Sequence, residues 1–253
     1  SAPGVEMTID GTSSIDSTIP RGWPGEPDMD YDVLVARDAS SAAAGMPITD
    51  VIFDFGNVLI YWDPEAVMVP RYSQEAVDRF LDNDISGFYD ANDRMDAGAT
   101  TREGVAWLRD THGDEWADMM QYYLDNFEDS LVGTVPGARV LIDDLKAAGI
   151  GVWGLSNWQK DLFSMAVERC PILAKLDGRL VSGFGKLRQP HKAIYERALR
   201  DFSLRPQSSL FVDDKAMNIV GANAAGIRGI RFRDPRRLRQ RLIEAGIDIP
   251  GWR

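Results

Sequence analysis

Residues 51–59, VIFDFGNVL, decide how the rest of the sequence is interpreted. The apolar run over 51–55, interrupted only by Asp54, predicts a buried strand, and Gly56-Asn57 predicts the turn that ends it. Residues 64–130 then carry apolar faces at helical spacing. We expect helices over 64–72, 73–82, 101–110 and 114–127, with an aromatic and polar loop over 88–96 between them.

From residue 136 onward, helical and strand patterns alternate. Helices are expected over 136–148, 159–169, 191–201, 215–225 and 235–245, and strands over 151–155, 209–212 and 228–232. This alternation is typical of a parallel sheet with helices on both faces. The sequence therefore predicts an α/β fold with a Rossmann-like, doubly wound parallel sheet. Its core would comprise residues 51–62 and 131–253, and a helical cap domain would comprise residues 63–130.

The first fifty residues differ in composition from the remainder. They contain nine acidic and two basic side chains, so they carry −7 of the chain's net charge of −11. They also contain five glycines and five prolines, with little hydrophobic periodicity. Such a composition buries too little apolar surface to support a domain. We expect residues 1–50 to form an acidic, largely irregular N-terminal extension.

Overall composition limits the classes of partner and compartment. A net charge of −11 argues against general affinity for nucleic acid or an anionic membrane, since both require clustered positive charge. No apolar run approaches the roughly 20 residues of a membrane-spanning helix. The single cysteine, Cys170, excludes an internal disulfide and is typical of a reducing compartment. We expect a cytoplasmic protein with no membrane or nucleic-acid partner, and the cap aromatics allow a homodimer.

Polar side chains stand where three predicted strands end. Asp54 lies at the first, Ser156-Asn157 follows the second, and Asp213-Asp214 follows a third. Ligands of doubly wound sheets bind at these carboxyl ends. Carboxylates that converge there repel one another unless a cation lies among them, and an all-oxygen ligand set suits Mg²⁺. A metal beside Ser156 and the Asn157 amide would form a phosphate site.

Three segments resemble motifs one, two and four of the haloacid dehalogenase superfamily. They are FDFGNVL (residues 53–59), GLSNW (154–158) and LFVDDKAMN (210–218). The resemblance is to the class with a helical cap inserted after the first strand, and it covers about residues 51–245. The most similar branch includes the bacterial α-D-glucose-1-phosphate phosphatase. The resemblance implies a Mg²⁺-dependent phosphatase that acts on a small phosphorylated metabolite through an aspartyl-phosphate.

The resemblance also implies roles for individual residues. Asp54 would be the nucleophile, and Ser156 and Asn157 would bind the phosphoryl oxygens. Mg²⁺ would be held by Asp54, the backbone carbonyl of Gly56 and Asp214, with help from Asp213, and Asn218 would brace the acidic loop. Pocket-lining candidates are Trp62 and Trp158, together with Phe88, Tyr89, Asn92, Asp93, Arg94 and Asp96 in the cap.

Two positions depart from the family pattern. Gly56 occupies the place of the usual acid/base aspartate, which removes a contribution of about 10²- to 10⁴-fold. Gln189 occupies the place of the usual lysine, which offsets the charge of nucleophile and phosphate. Lys186, Arg188 and Lys192 of the same loop could supply that charge, or could be solvated loop cations.

Two alternatives to an active phosphatase follow from these departures. One is a catalytically impaired binding or regulatory protein that keeps the fold. The other is a 2-haloacid dehalogenase-like hydrolase, whose chemistry also begins with an aspartate nucleophile. Dehalogenases of this superfamily work without metal and lack paired carboxylates in motif four, so Asp213-Asp214 favours the phosphatase.

Overall fold

The computed structural model describes residues 46–185 and 187–253. Most of the predicted acidic extension, residues 1–45, lies outside the described residues, and so does Lys186. The main sheet has five strands: β1 (Asp50–Phe53), β4 (Gly151–Ser156), β5 (Gly178–Val181), β6 (Ser209–Asp213) and β7 (Arg228–Arg231). All are parallel, in the order β5-β4-β1-β6-β7. The predicted doubly wound α/β fold is confirmed.

The first strand shows why both faces of the sheet are covered. Successive side chains of a strand point to opposite faces. Val51 and Phe53 belong to one apolar cluster, and Ile52 between them belongs to another. A strand buried on both sides requires a continuous apolar run, and residues 51–53 supply it. Asp54, the next residue, follows the strand at the sheet edge.

A second, antiparallel sheet joins the parallel sheet to a helical region. It pairs β2 (Ile60–Trp62) with β3 (Leu131–Thr134). Six helices lie between these two strands along the chain: α1 (Pro64–Met68), α2 (Gln74–Phe80), α3 (Asn83–Ser86), α4 (Phe88–Asp96), α5 (Thr101–His112) and α6 (Asp114–Asp125). The division of the chain into core and cap domains at these strands remains our proposal.

The remaining helices flank the parallel sheet. They are α7 (Ala138–Ala147), α8 (Phe163–Arg169), the single turn α9 (Ser182–Gly185), α10 (Lys192–Phe202), α11 (Ala216–Ala224) and α12 (Pro235–Glu244). Short 3₁₀ segments occupy Phe127–Ser130, Pro171–Lys175 and Pro206–Ser208. Within the described ranges no helix is both long and apolar enough to span a membrane, and the longest have 12 residues.

The expected loop over 88–96 is wrong, because this segment is helix α4. Gly87, in the left-handed conformation with φ of 73°, ends α3 and precedes α4. Phe88, Ala91 and Met95 of α4 are completely buried, and their spacing is helical. The intervening polar residues Asn92, Asp93 and Asp96 obscured this pattern in the sequence, and they now lie on a helix beside the carboxyl ends of the strands.

Candidate active site

Three neighbouring strands bring the predicted acidic residues together. β1 lies between β4 and β6 in the sheet, so their carboxyl ends meet at one edge. Asp54 directly follows β1, Ser156 ends β4, and Asp213 ends β6. One carboxylate oxygen from each of Asp54, Asp213 and Asp214 lies within 4.8 Å of the others. This convergence is what the strand-end pattern predicted.

The electrostatics of this cluster favour a bound cation. Burial, reinforced by Asp214, raises the pKa of Asp54 to about 7, although Lys215 and a hydrogen bond from Ser156 act in the opposite direction. Burial, Asp54 and Asp214 also raise the pKa of Asp213 well above its ordinary range. Buried like charges without a counter-ion disfavour ionisation. A divalent cation with a preference for oxygen ligands, such as Mg²⁺, fits this donor set.

Local hydrogen bonds fix the Asp213 carboxylate. Asn218 donates from Nδ2 to Asp213 Oδ2 at 2.8 Å, and the backbone N–H of Lys215 donates to Asp213 Oδ1 at 2.9 Å. Asn218 lies in the first turn of α11, which begins two residues after Asp214. The brace that was expected of Asn218 therefore has a geometric basis, although its role in function stays a prediction.

A cavity of about 220 Å³ opens above the carboxylates, between the strand ends and the helices that follow β2. Two hydrogen bonds connect these parts beside it. Gln159 Nε2 donates to Asn92 Oδ1 at 2.5 Å, and the Thr101 backbone N–H donates to Asp161 Oδ2 at 3.0 Å. The lining residues from the sheet side are Asp54, Gly56, Asn57, Ser156, Asn157, Trp158, Gln159, Gln189, Asp214, Lys215 and Asn218, and those from the helical side and its connections are Trp62, Tyr89, Asn92, Asp93, Asp96, Tyr123 and Phe127.

The cavity is lined by most of the predicted pocket-lining residues but excludes two of them. Phe88 is fully buried in the apolar cluster, and Arg94 stacks over the Trp107 ring at 4.2 Å. Neither lines the cavity. Phe88 and Arg94 lie on α4 next to Tyr89 and Asp93, which do line the cavity. Because the sequence did not define this helix, it could not show which of these residues face the cavity and which do not.

Asn157 and Gln189 hold each other in place. The Asn157 side chain donates to the Gln189 carbonyl at 3.0 Å and accepts from the Gln189 N–H at 2.8 Å. The buried Gln189 side chain has its own neighbours. Its Oε1 lies 2.9 Å from the Tyr195 hydroxyl, and its Nε2 lies 3.5 Å from the Leu155 carbonyl. Gln189 thus lines the cavity, but its side-chain amide already forms hydrogen bonds with other residues of the chain.

The cation that sequence reasoning did not identify is Lys215. It directly follows Asp213-Asp214 and lines the cavity. Burial lowers its pKa, but Asp213, Asp214 and further carboxylates outweigh this and raise the pKa above its ordinary value. Among the described residues its ammonium makes no ion pair within 4 Å, so it can approach a bound anion. Lys215 could have been identified from the sequence, because it directly follows Asp213-Asp214 within the segment 210–218.

The loop cations considered for the same task lie elsewhere. Lys192 lies 3.3 Å from Glu196 on the exposed side of α10. Arg188 lowers the pKa of Asp96 through its charge but is not part of the cavity wall. Lys186 is outside the described residues.

Aromatic rings form much of the remaining wall. Trp62 and Trp158 line the cavity as expected, and Tyr123 and Phe127 add two rings that were not predicted. Trp62 Nε1 donates to the Tyr123 hydroxyl at 3.0 Å, and the Phe127 and Trp158 rings meet edge to face at 5.9 Å. Within the described residues, Trp158 Nε1 and Gln159 Oε1 are buried without a hydrogen-bond partner.

Comparison with known proteins identifies the family. Residues 51–232 match the haloacid dehalogenase-like hydrolase family. Since this is most of the chain, the protein belongs to that family. Its resemblance to the branch of the α-D-glucose-1-phosphate phosphatase remains a prediction.

Two fungal proteins are similar in sequence. A sesquiterpene phosphatase of Aspergillus oryzae is 30% identical over 101 residues, which cover 39% of this chain and 52% of that protein. A drimenol cyclase of Aspergillus calidoustus is 25% identical over 185 residues, which cover 72% of this chain and 33% of that protein. The chain thus spans between a third and about half of the length of these relatives.

Solved structures share the fold at low sequence identity. A haloacid dehalogenase-like hydrolase from Porphyromonas gingivalis gives a TM-score of 0.61 at 19% identity, covering 79% of this chain and 98% of that one. The magnesium complex of a family enzyme from Bacteroides thetaiotaomicron gives 0.59 at 19%, covering 75% and 95%. The L-2-haloacid dehalogenase of Xanthobacter autotrophicus gives 0.54 at 22%, covering 80% and 85%.

Proposed function

We propose that this chain is a Mg²⁺-dependent phosphatase that hydrolyses a small phosphorylated metabolite through a phosphorylated Asp54. The observation that carries the proposal is the convergence of three carboxylates within 4.8 Å of one another, two of which, Asp54 and Asp214, line a cavity. Asp54, Asp214 and the Gly56 carbonyl would hold the metal, with Asp213 beside them. The bound metal would neutralise charge on the transferring group, the usual requirement of phosphoryl transfer.

The residues around Asp54 are suited to holding a phosphoryl group. Asp54 attacks phosphorus, and the bond to the leaving oxygen breaks, so one displacement is divided into two easier ones. The Ser156 hydroxyl and the backbone amide of Asn157 donate to phosphoryl oxygens. Lys215, which lines the same cavity, supplies the positive charge that Gln189 lacks.

The cavity wall favours a substrate whose organic part is partly apolar. Trp62, Tyr123, Phe127 and Trp158 present aromatic surface next to the carboxylates. Aromatic side chains of this kind contribute binding energy mainly through buried apolar contact. Similarity to a sesquiterpene phosphatase supports the same class, a hydrocarbon-bearing phosphomonoester.

A panel of alkyl, prenyl, aryl and sugar phosphates tests the proposal. Phosphate release should require Mg²⁺, stop on chelation, and be lost in Asp54→Asn, which removes the nucleophile while keeping the shape of the side chain. The matched control is Asp110→Asn, which changes an exposed aspartate of α5 and should hydrolyse the panel normally. Turnover by Asp54→Asn equal to that of the unaltered chain would refute the assignment of the nucleophile.

The same measurements separate the alternatives. A 2-haloacid dehalogenase would release halide from 2-chloropropionate in the presence of chelator. A non-catalytic binding protein would bind phosphate esters without hydrolysing any of them. The acidic pair Asp213-Asp214 argues against the first, because with Asp54 it offers oxygen ligands that suit a divalent cation, which a 2-haloacid dehalogenase does not need.

A further inference from the structure

The proposed phosphatase lacks a proton donor at the position where its family usually has one. Gly56 lines the cavity and has no side chain to protonate a leaving alkoxide. An alkoxide is a poor leaving group without a proton, so general acid catalysis contributes about 10²- to 10⁴-fold to such reactions. A donor from another part of the chain would have to reach the same cavity.

Asp96 of helix α4 lines the same cavity as Gly56. Its side chain is only 8% exposed, and it lines the cavity together with Asp54. No residue that the structure describes donates a hydrogen bond to its carboxyl group, and it makes no hydrogen bond with the carboxylates assigned to the metal. Its carboxyl oxygens are open to the cavity, so a bound ligand can reach them.

Its place in the helix makes a purely structural role still less favourable. Asp96 is the last residue of α4, where the negative end of the helix dipole disfavours a carboxylate. The side chain caps no helix terminus and forms no ion pair within 4 Å among the described residues. Neither secondary structure nor packing accounts for an aspartate here.

Burial keeps Asp96 partly protonated near neutral pH. Burial raises its pKa to about 7, with a further contribution from Asp93 on its own helix. Lys215 and Arg188 lower the pKa and Asp54 raises it, from the loops at the sheet edge. The buried Tyr123 hydroxyl of α6 also faces this group. An acid with a pKa near the working pH is the most effective proton donor.

We propose that Asp96 protonates the leaving-group oxygen, in place of the aspartate that Gly56 replaces. This inference rests on the proposed phosphatase function. As Asp54 attacks phosphorus, the bond from phosphorus to the substrate oxygen breaks, and that oxygen takes the Asp96 proton and leaves as an alcohol. Water then attacks the aspartyl-phosphate and returns a proton to Asp96. Asp54 is released as a carboxylate, and the products are one alcohol and one phosphate.

The test compares two substrates that differ in their need for a proton. Hexyl phosphate loses a strongly basic alkoxide, whereas p-nitrophenyl phosphate loses a phenolate that is stable without protonation. The quantity measured is kcat/KM, which reports the steps through release of the alcohol and is insensitive to later hydrolysis of the phospho-enzyme. For Asp96→Asn we expect kcat/KM to fall about 10²- to 10⁴-fold with hexyl phosphate and by less than about tenfold with p-nitrophenyl phosphate.

Retained p-nitrophenyl phosphate activity shows that the variant is folded and its metal site is assembled. Asp110→Asn is the control and should match the unaltered chain on both esters. An equal loss on both esters, or no loss on either, overturns the role of Asp96 while leaving the phosphatase intact. If the unaltered chain hydrolyses neither ester, the proposed function itself fails, and the role of Asp96 fails with it.

Discussion

Replacing Asp96 by asparagine should stabilise the folded chain, and the gain should grow as the pH rises. The pKa of Asp96 is raised from 3.8 to about 7, chiefly by burial. Between these values the folded chain holds a proton that the unfolded chain has released, so stability is lost as the pH rises through this window. Asparagine keeps the shape of the protonated carboxyl group but does not titrate, so the variant avoids this loss.

The size of the effect follows from the shift itself. Each pKa unit corresponds to about 1.4 kcal/mol, so the change from 3.8 to about 7 corresponds to at most about 4 kcal/mol. The sequence pI of about 4.7 makes work at lower pH impractical. Over about pH 5.5 to 8.5, the free energy of unfolding of the variant should gain about 2 kcal/mol relative to the unaltered chain.

Urea unfolding at several pH values measures this difference directly. The experiment is done with chelator present, so that only the chain's own charges act on Asp96. Using the change with pH, and not the absolute stability, removes any constant effect of the substitution. The control Asp110→Asn should differ from the unaltered chain by the same amount at every pH. A difference for Asp96→Asn that is equally flat across the range would show that Asp96 is ionised in the folded chain, and the reasoning would be refuted.

Two further predictions concern the charges and the proton at the site. Lys215→Gln should lower kcat about 10²- to 10³-fold, because one preorganised positive group at the phosphoryl oxygens is lost. Adding Gln189→Lys to this variant should recover part of the loss. Unchanged turnover in Lys215→Gln would exclude the role assigned to Lys215. Gly56→Asp in the Asp96→Asn background should raise kcat/KM for hexyl phosphate at least about tenfold, because it restores a proton donor. The new side chain has room, since a Cβ at residue 56 meets only Trp62 Cβ, at 3.9 Å. A variant that is folded but no faster would place the leaving oxygen out of reach of residue 56.

The core of the site was predictable because its residues follow directly from local sequence. A short apolar strand that ends at Asp213, or directly before Asp54, places a carboxylate at the sheet edge. The strands β5 and the β2–β3 pair were not predicted, since three or four residues are too few to establish a period. Their positions depend on partners distant in the sequence, such as Tyr61 opposite Gly133.

Lys215 and Asp96, the two residues that we propose to compensate for Gln189 and Gly56, were harder to predict from the sequence. Lys215 lies within a recognised segment, but its use depends on the cavity above the strand ends. Asp96 lies in a segment expected to be a loop, and only the helix α4 turns it toward the sheet while Arg94 contacts Trp107 instead. Sequence patterns identify a segment that contributes to the cavity wall, whereas tertiary packing determines which residues of that segment face the cavity.

A count of charges connects these two groups. Asp54, Asp213 and Asp214 would carry three negative charges, which a divalent cation and Lys215 would together offset. A phosphate ester then enters as an additional anion, and an ionised Asp96 on the facing wall would repel it. Substrate binding should therefore raise the pKa of Asp96 above its value in the metal-loaded chain without substrate. Asp96 therefore binds its proton most tightly when the ester is bound, and it donates that proton when negative charge develops on the leaving oxygen. The charge of the bound phosphate thus keeps Asp96 in the protonated form that the reaction requires.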